Sequence, residues 1–145
     1  RQQGCWVLRT AVFSAFFCLK IMNLLIIEPD FILAETYKKA FKEKGINVEI
    51  CYGAQEAIEK VDSKKIDGIV LEMQLGGHSG IEFLHEFRSY EDWANIPLYI
   101  YSAVPLASFG NSKKILNSLN IRRYFYKNQT PLTQLIGVII SDLKR

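Results

Sequence analysis

The chain has no apolar run long enough to cross a bilayer. Its opening, RQQGCWVLRTAVFSAFFCLKI, holds an apolar stretch from Ala11 to Leu19, far short of the ~20 residues a spanning helix needs. No small-residue cleavage site follows it, because Lys20 and Ile21 lead straight into Met22. A secretory signal and a membrane partner are therefore not expected. Residues 1–21 read as an extension without a deduced role, and Met22 as the start of the domain. Cysteine is scarce: Cys5, Cys18 and Cys51 are an odd number with no CxxC or metal spacing, which points to free thiols in a reducing, cytoplasmic compartment. A charge bias is missing too. Of 18 basic and 15 acidic residues, Arg1, Arg9 and Lys20 precede Met22, which leaves the remainder neutral and without a basic patch for nucleic acid. Neither GxGxxG nor GxxxxGK[ST] occurs, and Ser102 has no His in a triad pattern, so nucleotide binding and nucleophilic hydrolysis lack their fingerprints.

The composition is that of an ordinary globular domain, with 49% hydrophobic and 23% charged residues. At 145 residues the chain suits one domain with one core. From Met22 onward, strand-like and helix-like stretches alternate with short connectors, the signature of βαβ units on a parallel sheet. Strands are expected at Asn23–Ile27, Asn47–Cys51, Gly68–Leu71, Leu98–Tyr101 and Arg123–Tyr126. The first helix is expected from Phe31 to Lys44, capped by Asp30 and apolar along Leu33, Ala34, Tyr37 and Phe41. The second carries Ala54, Ala57, Ile58 and Val61 at helical spacing, and the third runs from Ile81 to Tyr90. The fourth is short, Lys113–Leu119, and the last carries Leu132, Leu135, Ile136, Ile139 and Leu143. Right-handed crossovers favour a doubly wound, three-layer α/β sandwich with the flavodoxin-like strand order 2-1-3-4-5, whose crevice lies at the carboxyl ends of the strands.

Polar residues fall at those strand ends. Glu28 follows strand 1, Glu72 follows strand 3, Ser102 strand 4 and Lys127 strand 5. A carboxylate beside a buried run such as GIVL is expensive unless it is paired, so this constellation is the candidate site. His78 in the loop after strand 3 and His85 on the next helix have no metal-spaced partners and read as solvated residues.

Four motifs, LLIIEPD, GIVLEMQLGGHSG, PLYIYSA and RYFYKN, stand in the order and spacing of a response regulator receiver domain, and residues 22–145 resemble that family. The resemblance implies a signalling module of a two-component phosphorelay rather than an enzyme. In receivers a strand-3 Asp accepts a phosphoryl group from a histidine kinase with Mg²⁺ bound by an acidic pair and a backbone carbonyl. By position, Glu72 matches the phosphoacceptor, Glu28 the first acid and Gln74 the carbonyl donor, so that Glu28, Glu72 and Gln74 would be the metal ligands. Ser102 matches the hydroxyl that moves to the phosphoryl group, Tyr124 the aromatic switch and Lys127 the lysine that pairs with the phosphoryl oxygen.

Three departures alter this expectation. Glu72 is one methylene longer than Asp, and a displacement of about 1 Å can lower an oriented reaction roughly a hundredfold. Pro29 replaces the second acid, which weakens any Mg²⁺ site. Asn128 stands where the family usually has a cis proline, so this loop is expected to be set differently. The sequence therefore points to an atypical receiver in which Glu72 pairs with Lys127 and imitates phosphoaspartate. Its partner would be a histidine kinase or a downstream effector, met through helix 4, strand 5 and helix 5, a face that could also form a homodimer. VPLASFGNS is expected to expose Leu106 and Phe109 in a loop. The alternative is a small flavodoxin-like enzyme or ligand-binding protein using the same crevice.

Overall fold

The computed structural model describes residues 20–145; most of the expected extension, with Cys5 and Cys18, lies outside the described residues. Five parallel strands form one sheet: β1 (Asn23–Ile27), β2 (Asn47–Cys51), β3 (Gly68–Leu71), β4 (Leu98–Ser102) and β5 (Arg123–Tyr126). Their spatial order is β2-β1-β3-β4-β5, the doubly wound order expected. Five helices connect and cover them: α1 (Phe31–Lys42), α2 (Ala54–Ser63), α3 (Gly80–Ser89), α4 (Ser112–Ser118) and α5 (Leu132–Leu143). No helix among the described residues is long and apolar enough to cross a membrane.

The central strands are buried on both faces, which explains why they read as unbroken apolar runs rather than alternating ones. Side chains still alternate between faces with period two. Leu25, Ile27, Ile69, Leu71, Leu98 and Ile100 join Ala57, Val61, Phe83, Leu84 and Phe87 in one core layer. Leu24, Ile26, Val70, Tyr99 and Tyr101 join Tyr37, Phe41, Leu135, Ile136 and Ile139 in the other. Asp30 caps α1 as its sequence position suggests, its Oδ1 accepting from the Leu33 N–H at 2.9 Å.

Local differences from the sequence reading have identifiable causes. Helix α1 stops at Lys42, two residues earlier than expected, because the Lys44 and Gly45 N–H groups close tighter turns onto the Phe41 and Lys42 carbonyls. Leu33 lies on the exposed side of α1 rather than in its stripe. The stretch read as a loop after β3 folds into a two-residue antiparallel hairpin, Gln74–Leu75 against His78–Ser79, with Gly76 and Gly77 at φ +39° and +84° making the turn. Gly80 opens α3 because a Cβ there would lie 2.8 Å from the Met73 Cα. Leu106 and Phe109 are not exposed in a loop. They occupy a 3₁₀ turn, both half-buried, and Phe109 packs against the core and the Tyr124 ring.

Candidate functional site

Register brings the site together. Ile27 pairs with Leu71, so Glu28 and Glu72 stand side by side one residue beyond. Leu71 pairs with Ile100, which sets Ser102 one residue further along the neighbouring strand. Ser102 pairs with Tyr126, so Lys127 leaves β5 just past it. All four polar groups therefore meet at the carboxyl edge of the sheet, at the ends of β1, β3, β4 and β5.

Lys127 lies between the two carboxylates. Its Nζ donates to Glu28 Oε2 at 2.5 Å and to Glu72 Oε2 at 2.7 Å. Side-chain exposures of 14%, 5% and 6% for Lys127, Glu28 and Glu72 place this bridge out of water. Two buried carboxylates against one ammonium leave a surplus negative charge, and neutral donors absorb it. Glu28 Oε1 accepts from the Asp30 N–H at 3.1 Å. Glu72 Oε1 accepts from the Ser102 hydroxyl and from the Gln74 N–H at 3.1 Å, and Glu72 Oε2 accepts from the Ala103 N–H at 3.3 Å. Every carboxylate oxygen thus accepts at least one hydrogen bond, as buried charges require.

These contacts set the titration of the pair. Burial is the largest single influence on Glu72 and pushes its carboxyl up, yet the hydrogen bonds from Lys127, Ser102 and Gln74 together outweigh it and hold the group below the usual range. Burial likewise favours neutral Lys127, but the hydrogen bonds and charges of Glu28 and Glu72 raise it above an ordinary lysine. Both groups remain charged across the neutral range.

A chain of hydrogen bonds runs outward from Glu72. The Ser102 hydroxyl donates to Glu72 and its oxygen accepts from the Val104 N–H at 3.0 Å. The Val104 carbonyl accepts from the Tyr124 hydroxyl. Tyr124, half-buried on β5, therefore connects to Glu72 through the β4–α4 loop. The Lys127 N–H donates to the Ser102 carbonyl at 2.8 Å, and the Lys127–Asn128 peptide is trans, with the Asn128 amide donating to the Tyr126 hydroxyl at 2.8 Å.

The arrangement does not fit Mg²⁺. The ion takes six oxygens and usually keeps one or two carboxylates among them. Here both carboxylates are engaged by Lys127, Pro29 offers no third, and no group of three His, Cys, Asp or Glu among the described residues could hold a metal. Gln74 supplies its N–H to Glu72. His78 is 73% exposed with its Nδ1 4.0 Å from Glu82, and His85 is exposed, so neither joins the site. The sequence reading missed Tyr37 and Tyr101, whose rings each lie 5.7 Å from Lys127 Nζ. Both were legible only as core aromatics, because nothing in their spacing, 64 positions apart, connects them to residue 127.

Known proteins resemble this chain in both sequence and fold. A CheY-like response regulator receiver domain protein of Methanospirillum hungatei JF-1 superposes with a TM-score of 0.75 at 16% identity, covering 86% of this chain and 95% of that one. A two-component response regulator from Clostridium difficile gives a TM-score of 0.71 at 28% identity, covering 86% and 97%. Among curated proteins, the probable transcriptional regulator ycf29 of Porphyra purpurea is 26% identical over 104 residues, 72% of this chain and 47% of its own length. The chain thus spans less than half of that relative. Residues 24–121 match the family model described as "Response regulator receiver domain", and by that match, on the sheet order and strand-end site found here, the chain belongs to the response regulator receiver family of two-component systems.

Proposed function

We propose that residues 22–145 form an atypical receiver that acts as a cytoplasmic protein-interaction switch, without enzymatic activity and without phosphorylation of residue 72. The observation that carries this reading is the Ser102 hydroxyl donating to Glu72 Oε1, continued through Val104 to the Tyr124 hydroxyl. In receivers the hydroxyl and the aromatic follow a phosphoryl group. Here the longer side chain of Glu72 extends its own negative charge to Ser102 and Lys127, so a carboxylate holds what a phosphoryl oxygen otherwise would. Lys127 satisfies both carboxylates in the role of a metal.

The partner surface in this reading is α4, β5 and α5, because the relay from Glu72 ends at Tyr124 on β5. A histidine kinase or a downstream effector would dock there, and a second copy of the chain could use the same face. The test compares wild type with Glu72→Gln in partner capture. Gln keeps the length and removes the charge, and a fall of about tenfold in affinity, ~1.4 kcal/mol, is expected. Undiminished capture would sink the idea. Incubation with acetyl phosphate and Mg²⁺, read by intact mass, should leave the wild-type chain unmodified; a phosphoryl adduct on Glu72 would contradict the proposal.

A further inference from the structure

The Lys127 ammonium is flanked by more than its two carboxylates. Tyr37, delivered by the buried face of α1, and Tyr101, on β4 just before Ser102, are each 6% exposed. Their rings meet edge-on with centroids 5.5 Å apart and planes at 62°, and each centroid lies 5.7 Å from Lys127 Nζ. That distance is within the reach at which a ring face attracts a cation, and the attraction grows as water is removed. The Tyr101 hydroxyl also donates to the carbonyl of buried Thr130 at 2.9 Å, fastening the loop that carries Lys127 away from β5. Burial, opposed by the positive charge of Lys127 and aided by Glu28, pushes the Tyr37 hydroxyl up to about 12, so the ring stays a neutral phenol.

We propose that Tyr37 and Tyr101 are positioning residues that flank the Lys127 ammonium beside its two carboxylates and hold it as a fixed internal cation for Glu28 and Glu72. The inference rests on the Lys127 bridge of the preceding reading and deepens it. The two carboxylates hold the ammonium by charge-assisted hydrogen bonds, but a lysine stem has four rotatable bonds through which it can swing toward solvent. Two rings packed edge-on against each other close that path. Packing alone would explain two buried tyrosines, but it would not require both to face one ammonium.

Trace acetylation of the full chain under native conditions, read per lysine by mass spectrometry, tests the enclosure without reference to any partner, so its failure and the failure of the Glu72 reading are distinguishable. In wild type, Lys127 should react at least about tenfold more slowly than exposed Lys113 and Lys114. Tyr37→Met and Tyr101→Met should each raise Lys127 reactivity severalfold, whereas Tyr37→Phe, which keeps the ring, should not. Phe83→Leu, a loss of aromatic volume in the opposite core layer, should leave Lys127 protected. Unchanged protection in both Met variants, or equal exposure by Phe83→Leu, overturns the proposal. Should the Met variants fail to fold, the wild-type chain decides alone: ring currents should shift the Lys127 ε-methylene protons upfield of every other lysine, and an unshifted resonance overturns it.

Discussion

The two ends of the sheet each carry an ion pair tied to a hydroxyl from β4, and water makes them different things. At the carboxyl edge, Lys127, Glu28 and Glu72 are 14%, 5% and 6% exposed, and Ser102 completes the set. At the amino edge, Arg122 and Asp142 meet at 2.9 Å with 43% and 28% exposure, and the buried Tyr99 hydroxyl donates to Asp142. The distances are alike, so geometry alone would rank the two equally. Desolvation separates them, since a buried charge that loses its partner has no water to turn to, whereas an exposed one does.

Removing the cation at each end is the most direct way to break the comparison. Lys127→Met should destabilise the chain by about 3–5 kcal/mol, because it leaves two buried carboxylates uncompensated, with a fall in melting temperature of roughly 10–20 °C. A loss within about 1 kcal/mol would mean that the edge is wetter than its exposures indicate. Arg88 supplies an intermediate case, a half-buried guanidinium that donates to five backbone carbonyls, those of Trp93, Ala94, Ile96, Leu119 and Asn120. Arg88→Lys keeps the charge but cannot reach all five with one ammonium, and about 2 kcal/mol should be lost in urea unfolding.

Titration sharpens the contrast further. The folded Glu72 carboxyl is depressed, so its contribution is complete above the ordinary glutamate value near ~4.3 and is lost as pH falls through the depressed value. Lys127 is raised, so its contribution is complete below ~10.4 and is lost as pH rises beyond the ordinary lysine range. Urea midpoints measured into acid should therefore fall less steeply in Glu72→Gln than in wild type. Asp142 is also depressed, by hydrogen bonds from Tyr99 and Arg122, but salt should weaken the part that comes from the exposed Arg122 charge and change little of that from Glu72. The smallest effect belongs to Arg122→Gln, within about 1 kcal/mol and vanishing at high salt.

Much of the architecture was legible because its signals are local. NLLII, GIVL and LYIYS are continuous apolar runs of strand length, and the stripes of α2 and α5 repeat at helical spacing. The hairpin at residues 74–79 escaped because strands of two residues leave no periodicity to detect. Leu106 and Phe109 read as an exposed loop for a related reason: a single 3₁₀ turn has no repeat, and the core layer and the Tyr124 ring together turn Phe109 inward.

The sequence by itself determined that Glu28, Glu72, Ser102 and Lys127 fall at the carboxyl ends of four strands, since Glu28, Glu72 and Lys127 each follow a strand directly and Ser102 closes the run LYIYS. It also determined that Pro29 brings no carboxylate. Only the tertiary structure decided which groups meet. Lys127 reaches Glu28 across 99 positions and Glu72 across 55, and passes between two tyrosines from different elements. Partner choice at such distances follows from strand register and from the exclusion of water, which obliges each buried polar group to find a donor or acceptor among whatever neighbours the fold supplies.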